Sequence, residues 1–407
     1  MNQINLESMC RNVDIYSKDS FVGIKCKNDN IEVIFPMGYK IGKNNDEIRR
    51  NILSLMQILS DFTDRTDSEW KKESKDDITG FPIYSYLYVI RDYLTNGYYV
   101  EKEIKYKVAK RGKINWNRTI KTQKPYPSGS GFVYLDLVVK NNSVNQNELI
   151  TLVHEACVYR CFKKLGWLYT SYLPTPPRLD FDKKLFETVV MQNMSKTFND
   201  KKRELFGHLL KVIKEESNED VVADFTFGTS RFEYVWENMI DYMFGIENKE
   251  DYFPHSNWRL KGQDKENSSL EPDTNKINDG IAYILDAIYY KYGVTNIPSH
   301  LPSTASIAKQ IIYAEYIEQN KMTDKKGNIL KTYNAFIMPF SKYGKYFKTD
   351  RNYKYIGFAD ADWKEFQNDY EHVEGILLDI NYIMDNCSRQ SRADIEELSK
   401  LIIESFE

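Results

Sequence analysis

Five apolar residues in a row, Ile281-Ala282-Tyr283-Ile284-Leu285, run directly into an acid, Asp286. A run this short reads as a strand, and without polar alternation it suits burial on both faces. Asp279-Gly280, just ahead of it, is a hairpin turn signal. The preceding segment, Glu271-Pro272-Asp273 onward, is therefore expected to pair with it. Asp273 and Asp286 then lie on neighbouring strands, with Asp286 where the buried strand emerges.

A strand covered on both faces needs helical layers, and the chain offers them. Helical periodicity covers residues 149–165, 183–215, 231–244, 304–319 and 394–406, the last with Ile395, Leu398, Leu401 and Ile402 on its inner face. Further strands are expected at 132–139, 335–340 and 353–358. Helices around a few central strands predict an α/β class. Before them, strands at 21–26 and 31–35, a helix carrying Ile48, Ile52, Leu55, Met56 and Leu59 with Asn45 or Asp46 as its cap, and a helix at 84–94 read as a smaller mixed domain. A length of 407 residues calls for two or three domains. Pro125, Pro127 and the Ser-Gly-Ser-Gly run at 128–131 place the division at 1–127 and 128–407.

Local charge is more informative than the net charge of −3. Nine Lys or Arg residues fall between Lys102 and Lys124, against Glu103 alone. Ile104, Tyr106 and Val108 alternate with Lys105, Lys107 and Ala109, the period of a strand with one basic face. Lys105, Lys107, Lys110, Arg111 and Lys113 are the candidates for contacting DNA phosphates or a protein partner; a solvated ribbon without a ligand accounts for the pattern equally well.

Other chemistries are poorly supported. The five cysteines are scattered and form no CxxC pair, which argues against a zinc ribbon and fits a reducing cytoplasm. His154-Glu155 opens like a zinc-protease motif, but position 158 is Val. No G-x-x-x-x-G-K-(S/T) occurs, so nucleotide hydrolysis is not expected of this chain. The amino terminus has no signal-peptide apolar stretch, and no run approaches the ~20 residues that span a bilayer. Two carboxylates on adjacent strands suit phosphodiester hydrolysis, where Mg²⁺ takes hard oxygen ligands and keeps several waters.

The pattern Pro272-Asp273…Ile284-Leu285-Asp286-Ala287-x-Tyr289-Tyr290 resembles the PD…LDAKYY signature of LlaJI-type and McrC-like restriction endonuclease subunits. Phe35-Pro36-Met37-Gly38-Tyr39, Arg111-Gly112-Lys113-Ile114, Phe232-Glu233-x-x-Trp236-Glu237 and Ser306-Ile307-Ala308-Lys309-Gln310-x-x-Tyr313 are similar to further segments of that family, in the same order. The resemblance implies a PD-(D/E)xK (restriction-endonuclease-like) core with flanking helices. It implies Mg²⁺-dependent cleavage of double-stranded DNA in a phage-defence system. It also implies a McrB-like AAA+ partner that carries the GTP. Carried over residue by residue, it makes Asp273 and Asp286 the metal ligands and catalytic acids, Glu237 a further acid, and Gln310 with Tyr313 a brace. The family's lysine position holds Ile288, which can neither donate a hydrogen bond nor carry charge. Three accounts stand open: a natural loss, an engineered replacement, or a lysine from elsewhere. Lys291 is the nearest substitute, although strand alternation points it to the opposite face; Lys309 is the other. A non-catalytic scaffold subunit of the same kind of complex is the alternative function.

Overall fold

The computed structural model describes residues 5–27, 30–63, 81–145, 148–217, 224–246, 249–278, 280–364 and 368–405. The chain divides into two compact units, one formed by Gly80–Asp224 and the other by Asn5–Thr79 together with Phe225–Glu407. The division expected after residue 127 does not coincide with either boundary. The physical reason is a long-range strand pair: Val22–Lys27 is antiparallel to Phe225–Thr229, which ties the amino-terminal strands into the unit that carries the carboxylates.

That pair rests on two glycines. Gly23 faces Gly228 across the ladder. A Cβ on Gly23 would sit 2.2 Å from the Phe227 carbonyl oxygen, and one on Gly228 2.1 Å from that of Val22. Both also have positive φ, 144° and 154°. Gly23→Ala is expected to lower stability by about 1–3 kcal/mol, the usual cost of one such backbone conflict. A shifted denaturant midpoint would register it; an unchanged midpoint would mean the strands do not approach this closely.

The larger unit is built around a five-stranded mixed sheet. Helix α1 (Phe232–Phe244) precedes it. Strands β1 (Thr274–Asn278) and β2 (Ile281–Ala287) form the expected hairpin, with Gly280 at φ 78° in its turn; Asp279 lies outside the described residues. Helix α2 (Thr304–Gln319) follows, then β3 (Lys331–Phe340), β4 (Tyr353–Ala359), β5 (Val373–Asp379) and helix α3 (Arg392–Glu404). The strand order is β1-β2-β3-β5-β4; β2, β3 and β5 run parallel and both outer strands antiparallel. The apolar run behaves as its composition requires. Ala282 and Ile284 pack in one apolar cluster with Ile311, Ala314 and Ile317 of α2. Tyr283 and Leu285 face the other way, toward Phe244 of α1 and Leu398 and Ile402 of α3. The α/β class is thus observed.

The amino-terminal part contributes a four-stranded sheet, Cys10–Asn12, Asn30–Phe35, Val22–Lys27 and Phe225–Thr229 in spatial order, and the helix Asn45–Thr63. Ile48, Ile52, Leu55, Met56 and Leu59 are all buried as expected, while the side chain that accepts from the first turn is that of Asn44, from the Glu47 amide at 2.9 Å.

The other unit packs helices Ile83–Asn96, Leu149–Leu165, Lys183–Lys196 and Asp200–Glu215. The single helix expected over 183–215 is two, because Asn199 caps a new one by accepting from the Lys202 amide. Buried Glu216 accepts from Tyr86 at 2.6 Å and Arg160 at 3.0 Å and pairs with Lys164 at 2.8 Å. A buried carboxylate with this many donors is held ionised, and its pKa is lowered despite burial.

Candidate active site

Ladder register brings the two acids together. Thr274 pairs with Leu285, so one further step places Asp273 opposite Asp286. The Ala287 amide donates to Asp273 Oδ2 at 2.9 Å, and the two carboxyls hydrogen-bond to one another. Both residues are half-buried. Burial raises the Asp273 carboxyl well above the usual range, and the negative charges of Asp286 and Glu237 raise it further. Burial also raises Asp286, offset by hydrogen bonds from Asp273 and by the positive charge of Lys309.

Elements on either side hold this pair. Glu237 sits half-buried on α1, whose Trp236 indole donates to the Ile337 carbonyl of β3 at 3.3 Å. Gln310 is fully buried on α2, its amide donating to the Ile284 carbonyl at 3.0 Å and that of Ala335 at 3.3 Å. It bridges β2 and β3 two residues before Asp286 and fixes the strand that presents the acid. Tyr313, one turn on, donates to the Glu271 carbonyl at 2.9 Å, two residues before Asp273. Burial and the charges of Asp286, Asp273 and Glu271 raise its phenol.

Position 288 is apolar in its surroundings as well as in its side chain. The Ile288 amide continues the ladder by donating to Ile337, and the side chain packs against the cluster of Ile284, Ile311 and Met338. The chain then turns, and Lys291 opens a short helix at Tyr292–Thr295. Its ammonium donates to the Ile15 carbonyl, so the structure does not bring Lys291 to the acids. Lys309 is the cation whose charge acts on Asp286.

Tyr289 has a role that its place in the motif did not disclose. Its buried hydroxyl accepts from the Met37 amide at 2.9 Å, and its ring lies against Phe232 and Trp236. The Phe35–Tyr39 segment is thereby joined to the end of β2. The shared aromatic content of these segments was the available signal, and it carried no information on which pairs meet.

The basic residues lie in the other unit. Lys107, Lys110, Arg111 and Lys113 are exposed around the strands Glu101–Val108 and Lys113–Ile114; the Lys105 side chain lies outside the described ones. Val108, on the face opposite the lysines, is 55% exposed. Arg118 stacks over Tyr106 at 3.8 Å.

The remaining motifs fall away. Asp360-Ala361-Asp362-Trp363-Lys364 also contains a D-x-K, a rival to the hairpin acids, but Asp360 and Asp362 are exposed at the end of β4, the edge strand opposite the hairpin, and Lys364 pairs with Glu315 at 2.8 Å. His154 is buried, accepts from the Tyr99 amide, and is pushed down to about 4 by burial. Cys157 and Cys161 are buried and raised, the environment of inert thiols.

Among the described residues no group of three or more His, Cys, Asp or Glu side chains is arranged to hold a metal ion. The acid pair nevertheless has the donor chemistry for Mg²⁺, which is commonly held by one or two carboxylates with water completing its shell. A divalent cation would also offset the burial that raises both acids and the repulsion that raises Asp273 further.

A family model described as LlaJI restriction endonuclease matches residues 21–363. Among solved structures, a refined half-complex from the tetradecameric assembly of Thermococcus gammatolerans McrB AAA+ hexamers with bound McrC is similar at 14% identity, over 94% of this chain and 83% of that one, with a TM-score of 0.37. No curated protein matches the chain. Among the described residues no helix is long and apolar enough to cross a membrane.

Proposed function

The chain belongs to the LlaJI restriction endonuclease family, and from that premise we propose that it is the DNA-cleaving subunit of a restriction system. The reaction is hydrolysis of phosphodiester bonds in double-stranded DNA in the cytoplasm. The observation that carries the reading is the half-buried Asp273–Asp286 pair, held by the Ala287 amide at the end of a strand covered on both faces.

Asp273 and Asp286 would hold Mg²⁺, which supplies a water of lowered pKa and stabilises the leaving oxygen. The protein's part is placement. Gln310 fixes β2, Tyr313 fixes the chain entering Asp273, and Glu237 adds negative charge beside the pair. Lys309 supplies the positive charge that Ile288 cannot. The chain lacks a phosphate-binding loop, so the GTP and its hydrolysis belong to a McrB-like AAA+ partner. Lys107, Lys110, Arg111 and Lys113, with Lys105 on the same strand, are the surface for that partner or for DNA. The apolar packing of Ile288 favours one competing reading, a subunit that binds DNA and partner without cutting. Plasmid incubated with the chain, its NTPase partner, nucleotide and Mg²⁺ separates the two: cleavage that EDTA stops supports the nuclease, and intact plasmid under every nucleotide condition withdraws it.

The carboxyl pKa values also predict a stability signature. Both are raised in the folded protein above the unfolded value of about 3.9. Stability from the protonated pair is then fully present below about pH 4 and is lost as pH rises through the folded values. At neutral pH without divalent ions, Asp286→Asn is therefore expected to melt at a higher temperature than the unaltered chain. Mg²⁺ should raise the unaltered chain's midpoint and leave that of Asp286→Asn nearly unchanged. Equal Mg²⁺ responses in a thermal melt would remove the pair as the metal site.

A further inference from the structure

Between α1 and β1 the chain forms a two-stranded ribbon, His255–Leu260 paired with Gln263–Ser269, which stands outside the five-stranded sheet. Every residue from His255 to Glu266 is exposed. An isolated hairpin is marginal in water unless something else holds it, and among the described residues the contacts that hold this one lie at its feet. Phe253 at one foot is buried against the Tyr313 ring, centroids 5.7 Å apart. The other foot leads into Glu271, whose carbonyl accepts from the hydroxyl of the same Tyr313. The Leu270 amide donates to the Pro254 carbonyl and closes the base. The ribbon is thus rooted three residues before Asp273, and six residues of strand give it a reach of about 20 Å.

Its two faces differ in charge. Arg259 pairs directly across from Asp264, and Asn257 from Glu266; this face holds both acids, with Asp264 in an ion pair with Arg259. On the opposite face Trp258 stands across from Lys265 and Leu260 across from Gln263. That face carries a cation and no acid. Lys261 adds a second cation in the turn, and Trp258 is 60% exposed. A surface that offers apolar area and positive charge while its acids turn away is complementary to a polyanion that has apolar sugar and base edges.

We propose that this ribbon is an arm that docks the DNA duplex beside the acid pair, with Lys261 and Lys265 on phosphates and Trp258 and Leu260 against the groove wall. A two-stranded ribbon fits the width of a DNA groove, and apolar wedges beside cations are a common way to grip a duplex. The inference rests on the nuclease reading for its substrate, but its test does not require cleavage. Trp258→Ala with Lys261→Glu and Lys265→Glu is placed in the full chain on an Asp286→Ala background. Affinity for a fluorescent mixed-sequence duplex is measured against salt, with and without the NTPase partner. The expected result is at least about tenfold weaker binding and a salt slope smaller in magnitude by about 2, the value for two lost phosphate contacts. Because the altered side chains are exposed, the melting midpoint should not move. Unchanged affinity and slope would overturn the arm and leave the nuclease reading standing. So would unchanged DNA binding accompanied by loss of self-association in sedimentation, which would make the ribbon's partner a second copy of the chain. Weakened binding in a chain whose unsubstituted acids never cut DNA would keep the arm and remove the nuclease.

Discussion

Asp286→Ala is expected to abolish plasmid cleavage by the chain with its NTPase partner, with a loss on the order of 10³-fold or more. Residues that only support a metal ligand already cost about 10–100-fold when removed; Asp286 is proposed as a ligand itself. The structure gives it no understudy. Asp273 faces it across the hairpin, Glu237 adds its negative charge to Asp273, and no third acid completes a ligand set among the described residues. Asp273→Ala should match it in size, with the added loss of the carboxylate that accepts from the Ala287 amide. Glu237→Gln, which removes charge but keeps shape, should cost about tenfold or less, and its effect should shrink at high Mg²⁺. DNA binding and stimulation of the partner should survive in Asp286→Ala, because neither is assigned to the acid pair. Cleavage by Asp286→Ala within tenfold of the unaltered chain would place the chemistry elsewhere. Exposed Asp360 and Asp362 would be the next acids to examine.

The half of the site that lies close together in sequence was readable, and the reason is local. A five-residue apolar run, a turn glycine and two acids fix a hairpin and its register without help from distant residues. Helices 149–165 and 304–319 were equally plain, and both are observed at those bounds. What stayed hidden depends on distance or breaks a pattern. Strand β5 lies inside the sheet, yet its sequence, Val-Glu-Gly-Ile-Leu-Leu-Asp, interrupts an apolar run with Glu374 and Gly375, and both are buried there. The pairing of Val22–Lys27 with Phe225–Thr229 spans some two hundred positions, and neither strand names its partner. Each contains a glycine, and only the ladder shows that the two must face each other. The ribbon at His255–Leu260 was invisible for the opposite reason: it buries nothing, so no apolar period marks it. Lys291 was a candidate through nearness in sequence alone, and strand alternation already pointed it away from the acids. The strand ends at Ala287 and the chain turns, so the actual partner of the Lys291 ammonium, the Ile15 carbonyl, was not readable.

Lys309→Met is expected to reduce cleavage about 10²-fold or more, the usual cost of removing one preorganised donor from a developing charge. Ile288→Lys in that same background should recover most of it. The two positions reach the acids by different routes. Ile288 follows Asp286 by two residues and still donates its amide to the β3 ladder, so its side chain leaves the strand on the Asp286 face. It is half-buried against apolar neighbours. A lysine there could lay its methylene stem along Ile284 and Ile311 and carry its ammonium to the acids. Lys309 comes instead from α2, beside the Gln310 that pins β2, so its backbone is held by the brace that positions Asp286. Its positive charge already acts on Asp286, whereas the Lys291 ammonium is engaged by Ile15. Lys291→Met should therefore leave cleavage within about threefold of the unaltered chain, which is the control a general effect of lost charge would fail. The outcomes divide cleanly. Full activity in Lys309→Met would mean that no cation from α2 is needed. An unaltered chain that is inert, beside an Ile288→Lys chain that cuts, would make Ile288 a true inactivation and the chain a scaffold subunit. Loss in Lys309→Met with recovery by Ile288→Lys would show that the lysine function has moved from the strand to the helix while the acids stayed in place.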